Sequence, residues 1–144
     1  MAKNTPDQKT MLQSLLGLLR AMFISHHTSH LIVSGPAFYA QHGMFNDFYT
    51  GVVGDIDGLA EKMVAMYGPG VVDPIHSLKL AGKWLGDWPH EKPLEAALQA
   101  ENELQQAIKD LRATDKLDIG LDNFLCQLAD DHQTNIYKLQ QTRR

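Results

Sequence analysis

The chain has 144 residues, of which 44% are hydrophobic, so its length and composition predict one globular domain spanning residues 1–144. The formal net charge of −4 argues against binding to nucleic acid or a membrane through overall charge, and the single cysteine, Cys126, excludes an intrachain disulfide and fits a cytoplasmic protein. No signal peptide is visible, and no apolar run reaches the roughly 18 residues of a membrane span.

The first two predicted elements are long helices. Leucines, Met22 and Phe23 recur at three- and four-residue steps from residue 12 onward, which is the spacing of one helix face. That helix should end near Gly35, and Pro36 suits the first position of the second helix. The second helix carries apolar residues at seven-residue steps and should end within residues 67–70, where two glycines flank a proline.

The rest of the chain predicts a long connection and two more helices. Residues 71–89 are expected to form a loop that contains a short helix near 77–86. A third long helix is predicted over 93–114 and a fourth over 118–141, with Asp118 as its N-cap. Strand signals are almost absent from the sequence. Four long helices with one long second connection predict an all-α four-helix bundle.

Histidines and carboxylates interrupt the apolar faces of the first two helices. His26 and His30 continue two heptad rows of apolar residues in the first helix, and His42 lies in such a row of the second. Asp57 and Glu61 are four residues apart, so both project from one helix face. Each residue alone would more often be a hydrogen-bonded core histidine or a solvated carboxylate. The combination of imidazole and carboxylate, however, suits iron, manganese or zinc.

One chain cannot assemble these residues around one ion unless the second helix breaks, because Asp57 lies fifteen residues beyond His42 on the same predicted helix. At 1.5 Å per residue, that separation is about 22 Å. If the second helix crosses its own copy antiparallel near residue 50 or 51, the histidines of one chain face the carboxylates of the other.

Glycines lie at the proposed crossing. Gly51, Gly54 and Gly58 follow one another at helical spacing, and a glycine inside a helix costs about 1 kcal/mol relative to alanine. Close approach of two helices would compensate for that cost, whereas the alternative is a weak or kinked helix. A di-iron site within one chain is not expected, because the Glu-x-x-His motif is absent from the two helices that would need it, and the residues around His132 do not match it.

The segment from residue 30 to residue 62 resembles the signature of the Dps family, the DNA-protection proteins from starved cells. That family shows His-Trp-x-Val-x-Gly-Pro-x-Phe, then a histidine and an aspartate, and later Asp-x-x-Ala-Glu. The chain matches this pattern without a gap at His30, Val33, Gly35, Pro36, Phe38, His42, Phe45, Tyr49, Ile56, Asp57, Ala60 and Glu61.

The resemblance implies a ferritin-like bundle with a short helix in the second connection, assembled from two-fold dimers into a hollow shell of twelve subunits. It also implies a ferroxidase centre with His30 and His42 from one subunit and Asp57 and Glu61 from its two-fold mate. Fe(II) would bind there, hydrogen peroxide or oxygen would oxidise it, and ferric mineral would collect in the cavity. Such a miniferritin would be an iron-storing oxidoreductase that protects against oxidative damage.

Two departures from the family signature bear on this expectation. Leu31 replaces the tryptophan, and Asn46 replaces the aspartate four residues after the second histidine. A neutral amide is a weaker ligand than a carboxylate, so Asn46 should weaken iron binding or alter the second metal position. His26 and His27, one turn before His30, either add nitrogen ligands, or lie at the surface, or contact the metal ligands without binding the metal.

DNA binding is weakly supported by the sequence. Family members that bind DNA often use lysine-rich tails, whereas this chain offers Lys3, Lys9, Arg143 and Arg144 near its ends. Three functions stay open: an active ferroxidase and iron store, a metal-poor shell with a structural or DNA-associated role, and a shell that holds zinc or manganese.

Overall fold

The computed structural model describes residues 7–144, which form five α-helices and one 3₁₀ turn. The helices are α1 (Gln8–Ile32), α2 (Phe38–Tyr67), α3 (Pro74–Gly86), α4 (Pro93–Arg112) and α5 (Ile119–Arg143), and the 3₁₀ turn is Pro69–Val72. No strand occurs in this part of the chain. Lys3 of the expected basic tail lies outside the described residues.

The four long helices α1, α2, α4 and α5 pack around a common core, and α3 lies in the long connection between α2 and α4. Helix α1 packs against α2, α3 and α4, while α5 packs against α4 and α2. The core is mainly leucine, and burying one leucine side chain contributes about 1.5–3 kcal/mol. The predicted bundle with a short helix in its second connection is therefore confirmed.

Within residues 7–144, no helix has the length and apolar character that a membrane crossing requires.

A tight turn joins α1 to α2. Helix α1 closes with a hydrogen bond from the Val33 N–H to the Ser29 carbonyl oxygen (3.1 Å). Gly35 then adopts a φ of +87°, and its carbonyl oxygen accepts a hydrogen bond from the Phe38 N–H at 3.0 Å. The prediction that Pro36 begins α2 is wrong, because Pro36 occupies the second position of this turn, where its fixed φ is equally suitable.

The long connection is held to the bundle by two tryptophans. Helix α2 ends at Tyr67, and the C-cap Gly68 has a φ of +85°, as the glycine-proline segment predicted. The Trp84 Nε1–H donates to the Ser14 carbonyl oxygen of α1 at 3.1 Å. The Trp88 Nε1–H donates to Glu103 Oε2 of α4 at 2.8 Å. These bonds satisfy the indole N–H groups of two large side chains and anchor the C-terminal end of α3 to α1 and α4.

The last two helices match their predicted ranges to within a few residues. Helix α4 ends at Arg112, whose Nε–H donates to Asp122 Oδ1 at 2.8 Å across the short connection to α5. Asp118 occupies the N-cap position of α5, as predicted. Its side chain makes no capping hydrogen bond, however, and its backbone carbonyl oxygen accepts the Asp122 N–H at 2.9 Å.

Candidate metal centre

Two histidines from neighbouring helices lie against each other at the turn between α1 and α2. His30 lies in the last turn of α1 and His42 near the start of α2. Their rings are nearly parallel, with an angle of 20° between the planes and 3.7 Å between the centroids. His30 Nδ1 lies 2.8 Å from the backbone oxygen of His42, and His42 Nδ1 lies 2.7 Å from that of His30. The turn therefore creates a reciprocally bonded pair.

This reciprocal bonding assigns the protons on the two rings. A carbonyl oxygen can only accept a hydrogen bond, so both Nδ1 atoms must carry a hydrogen. In a neutral imidazole, the other nitrogen, Nε2, then has a free lone pair. Among residues 7–144, no group hydrogen-bonds to the Nε2 of His30 or His42. A histidine whose second nitrogen donates to a carbonyl is the usual form of a metal ligand, so the pair offers two nitrogen donors.

Aromatic rings and one amide surround the pair. Phe38 stacks on His42 with 4.8 Å between the centroids, and the Tyr49 ring meets His30 edge-on at 5.3 Å. The Tyr49 hydroxyl donates to Asn46 Oδ1 at 3.2 Å. Because Asn46 lies four residues after His42, it shares a helix face with that histidine. The helix face that carries His42 therefore presents a neutral amide oxygen one turn after the histidine.

The two predicted carboxylates lie elsewhere on α2. Asp57 and Glu61 are both exposed, and α2 runs without interruption from Phe38 to Tyr67. The carboxylates therefore stay about 22 Å along the helix from His42, as the sequence predicted. Residues 7–144 contain no group of three or more His, Cys, Asp or Glu side chains placed to hold a metal ion. A single chain brings the two histidines together but leaves the carboxylates apart from them.

The three glycines of α2 have different surroundings. A Cβ atom added at Gly51 or Gly54 would meet no atom of this chain within 4 Å. A Cβ atom added at Gly58 would lie 2.7 Å from the Phe124 ring of α5. The interpretation of Gly58 as part of an intersubunit row is therefore wrong, because its missing side chain admits Phe124 within the subunit. A close approach of a second chain at Gly51 and Gly54 stays a prediction.

Sequence comparison gives one partial relative. No protein-family model matches the chain. The DNA protection during starvation protein of Brevibacillus brevis is 31% identical over an alignment of 81 residues, and the match covers 51% of this chain and 54% of that protein. The chain thus matches about half the length of this curated relative.

Comparison with solved structures shows which fold the chain has. Dps from Thermosynechococcus elongatus superposes with a TM-score of 0.84 at 23% identity, covering 95% of this chain and 90% of that one. Dps from Listeria monocytogenes gives a TM-score of 0.82 at 20% identity, covering 96% and 94%. The chain has the Dps fold. A dodecameric thioferritin from Bacteroides fragilis also superposes, with a TM-score of 0.78 at 17% identity, covering 94% and 84%. The predicted resemblance to Dps-type miniferritins is therefore confirmed.

Within this Dps fold, the two histidines that precede the pair have opposite environments. His27 is exposed, and its ring lies 4.8 Å from that of Tyr49 and 6.3 Å from that of His30. His26 is fully buried, and its Nε2 lies 3.6 Å from Oε1 of Glu101. Consecutive helix residues point about 100° apart, so His26 faces the bundle interior and His27 the outside. The interpretation of His26 as a surface residue is therefore wrong, because its side chain is fully buried beside Glu101.

His26 belongs to an interior network formed by His26, Asp55, Glu101 and His132, one residue from each long helix. Nδ1 of His132 lies 2.6 Å from Oε2 of Glu101, and its Nε2 lies 2.8 Å from Oδ2 of Asp55. The Asn135 side chain donates to Glu101 Oε1 at 3.2 Å. Because both nitrogens of His132 face carboxylate oxygens, both must carry hydrogens, and the ring is an imidazolium.

The interior network contains a buried ion pair. Burial alone would lower the pKa of His132, but the hydrogen bonds and charges of Asp55 and Glu101 raise that pKa to about 10. Burial likewise opposes ionisation of Glu101, yet the hydrogen bond from His132 and the neighbouring His26 ring hold the pKa of Glu101 below its usual value. Both groups are therefore charged near neutral pH, and the charge of each stabilises that of the other in the buried interior.

The residue pattern of α4 and α5 contains a signal for the interior network, but the sequence-based prediction missed it. In α4 and in α5, one polar residue continues a stripe of buried apolar positions at four- and three-residue steps. The stripes are Ala97, Glu101, Leu104 and Ile108 in α4, and Leu121, Leu125, Leu128 and His132 in α5. An acid and a base on the buried stripes of adjacent helices predict a buried pair.

Proposed function

We propose that the chain is the subunit of a miniferritin shell that binds and oxidises Fe(II) at a site shared by two subunits. His30 and His42 of one subunit would bind the ion together with Asp57 and Glu61 of its two-fold mate. The observation that carries this proposal is the reciprocal Nδ1–H bonding of the histidine pair, which leaves two Nε2 lone pairs available. The shell would be a homo-oligomer of two-fold dimers, with twelve subunits, in the cytoplasm.

The donor set fits iron as a substrate. Imidazole nitrogens bind Fe(II), while two carboxylates offset its charge and favour the Fe(III) that oxidation forms. Each Fe(II) would give up one electron, so two Fe(II) would reduce one hydrogen peroxide, or four Fe(II) one oxygen, to two water molecules. The ferric product would collect as mineral inside the shell. Placing the carboxylates on a second subunit makes assembly a condition of activity, because each chain alone holds half of the ligands.

Relatives support the proposal through their histidines and their assembly. Dps from Listeria innocua has been solved with two histidines, twelve positions apart, both changed to glycine. His30 and His42 are also twelve positions apart. The thioferritin from Bacteroides fragilis is described as dodecameric, which supports a closed shell for a chain of similar fold. The Brevibacillus brevis relative is named for protecting DNA, which supports a protective role.

Asn46 favours a second candidate function. Its amide oxygen already accepts the Tyr49 hydroxyl and carries no charge, so the site has one anionic ligand fewer than a carboxylate would give. A shell with weak ferroxidase activity, serving a structural or DNA-associated role or holding zinc or manganese, would share the same fold. Direct measurement of iron binding and oxidation separates these functions.

The test is anaerobic titration of the assembled protein with Fe(II), followed by addition of hydrogen peroxide while ferric absorbance is recorded. We expect the parent to bind Fe(II) and oxidise it rapidly, and His30→Ala to slow oxidation by about tenfold or more. His76→Ala, at an exposed histidine of α3, is the matched control and should behave as the parent. Oxidation at the parent rate by His30→Ala would contradict the proposal.

A further inference from the structure

One tyrosine packs against the histidine pair. The Tyr49 ring of α2 meets that of His30 edge-on, with 5.3 Å between the centroids. Its hydroxyl donates to Asn46 Oδ1 at 3.2 Å, on the helix face that carries His42. Among residues 7–144, Tyr49 is the one tyrosine or tryptophan whose ring lies against either histidine of the pair. Phenol and indole rings are the aromatic side chains that lose one electron most readily, so Tyr49 is the redox-active ring beside the pair.

The surroundings of Tyr49 suit the storage of an unpaired electron. Its half-buried ring is held edge-on by His27 at 4.8 Å and by Phe23 at 6.0 Å, in addition to His30. Asn46 offers a hydrogen-bond partner for both states of the phenol oxygen, because an amide accepts through Oδ1 and donates through Nδ2. A half-turn of this amide would replace the bond that the hydroxyl donates with one that a phenoxyl oxygen accepts.

Reduction of hydrogen peroxide takes two electrons, whereas one Fe(II) supplies one. With a single electron, the O–O bond breaks into hydroxide and a hydroxyl radical. Two irons bound together would avoid this product, but Asn46 presents a neutral oxygen where a carboxylate would help to hold a second ion. When one iron is bound at a time, the second electron has to come from the protein if no hydroxyl radical is to be released.

We propose that Tyr49 supplies this second electron, as a hydrogen atom from its hydroxyl, when one Fe(II) is bound at the His30–His42 pair. The inference rests on the proposed function, since it takes the pair to bind the iron. The O–O bond of hydrogen peroxide and the O–H bond of Tyr49 break, and Fe(II) gives up one electron. The products are one Fe(III), one hydroxide ion, one water molecule and a tyrosyl radical.

A second Fe(II) completes the cycle. It gives one electron to the tyrosyl radical, which takes one proton from the solvent and becomes the phenol of Tyr49 again. The cycle therefore oxidises two Fe(II) for each hydrogen peroxide without requiring both irons to be bound at once. Tyr49 would thus let a site with a weakened second metal position reduce hydrogen peroxide without releasing hydroxyl radical.

The test adds Fe(II), at less than one ion per site, to the assembled protein without oxygen, followed by hydrogen peroxide and rapid freezing for electron paramagnetic resonance. We expect a tyrosyl radical in the parent and its loss in Tyr49→Phe, which keeps the ring and removes the hydroxyl. A spin trap in parallel samples should capture several-fold more hydroxyl radical from Tyr49→Phe than from the parent. Tyr39→Phe, at a tyrosine of α2 that is 90% exposed, is the matched control and should behave as the parent.

The same measurements on His30→Ala separate this inference from the proposed function. Suppose that iron oxidation depends on His30, but the parent forms no tyrosyl radical, the radical persists in Tyr49→Phe, or the trapped hydroxyl radical does not increase. Tyr49 is then not the electron donor, while the proposed site stands. If His30→Ala oxidises Fe(II) at the parent rate and forms the radical in equal yield, both proposals fail. Loss of oxidation and of the radical in His30→Ala, together with the expected Tyr49→Phe results, supports both.

Discussion

At the scale of single residues, the position of each site histidine is set by the backbone of the other. His30 Nδ1 and His42 Nδ1 are occupied by carbonyl oxygens, so the rings cannot rotate freely and Nε2 is the atom left for a ligand. The sequence predicted the two histidines as a pair through their heptad rows and the family signature. It could not predict their proton positions, because those depend on the turn that brings one helix end against the next helix start.

Asn46→Asp should tighten Fe(II) binding. An aspartate at this position can still accept the Tyr49 hydroxyl, and it adds a negative charge on the helix face that carries His42. The expected gain is several-fold in affinity, with faster oxidation, measured by anaerobic Fe(II) titration and by peroxide addition. Asn123→Asp, an equal charge change at an exposed position of α5, is the control. Unchanged affinity and rate would place Asn46 outside the coordination shell.

At the scale of helices, the interior network joins the four long elements through charged side chains rather than through apolar packing alone. Asp55, Glu101 and His132 connect α2, α4 and α5, and His26 brings α1 next to the same carboxylate. Breaking such a pair is costly, because the remaining charge stays buried without compensation. The network therefore favours one register of the bundle over others.

His132→Ala should destabilise the fold by about 3–5 kcal/mol, because it leaves Glu101 buried without its partner. The pKa of His132 is raised from 6.5 to about 10, so its contribution to stability is complete below pH 6.5 and is lost as the pH rises toward 10. The pKa of Glu101 is lowered from 4.5, so its contribution is present above pH 4.5 and is lost as the pH falls through the folded-state pKa.

Urea unfolding of the parent and His132→Ala, followed by circular dichroism between about pH 5 and pH 10, measures this dependence. The difference in free energy of unfolding should be largest near the lower end of that range and should shrink toward the upper end. His76→Ala, at an exposed position, should change the free energy by less than about 0.5 kcal/mol. A difference that stays constant with pH would contradict the ion pair.

Gly54→Leu should weaken assembly while leaving the subunit folded. A Cβ atom added at Gly54 would meet no packed neighbour of its own chain within 4 Å, so the subunit leaves room for a side chain there. If a second chain approaches closely at Gly54, the leucine would overpack that interface, which typically costs about 1–3 kcal/mol. Gly58→Leu should instead destabilise the subunit, because its side chain would strike Phe124. Light scattering reports assembly and circular dichroism reports folding, with Gly120→Leu as the exposed control. An intact assembly for Gly54→Leu would place the two-fold axis elsewhere.

Most of the helices were predictable because three- and four-residue periodicity and glycine-proline breaks are local signals. The start of α2 was not, since Pro36 suits both a helix start and the second position of a turn, and the Gly35–Phe38 hydrogen bond decides between them. The environment of Gly58 could not be predicted either, because it depends on which α5 residue packs opposite. The roles of Asp57 and Glu61 stay predictions, since they require a second chain.

At the scale of the whole molecule, the proposed site requires an obligate oligomer. The histidine pair and the two carboxylates lie about 22 Å apart along α2, so only a second subunit can complete the site. Light scattering of the parent at micromolar concentration should therefore show an assembly larger than a monomer. The expectation that residues 1–144 form one domain also stays a prediction.

The assembled protein should not retain DNA at moderate salt. Phosphate contacts dominate non-specific affinity and weaken steeply with salt, while the net charge of −4 is repeated in every subunit of the shell. A gel-shift titration with linear duplex DNA, without divalent metal, should show no complex at about 150 mM salt. A shifted band that persists at that salt concentration would contradict this expectation and favour the DNA-associated role.

The most direct test of the shared site is complementation between two inactive variants. His30→Ala and Glu61→Ala should each oxidise Fe(II) slowly when assembled alone, since each damages both sites of its dimer. Mixing them in equal amounts under dissociating conditions and reassembling should restore activity, because a mixed dimer has one site with both halves intact. Random pairing would restore about one quarter of the sites, and so about one quarter of the parent rate. Recovery to that level supports a site shared across the two-fold axis, whereas a mixture no more active than its components would contradict it.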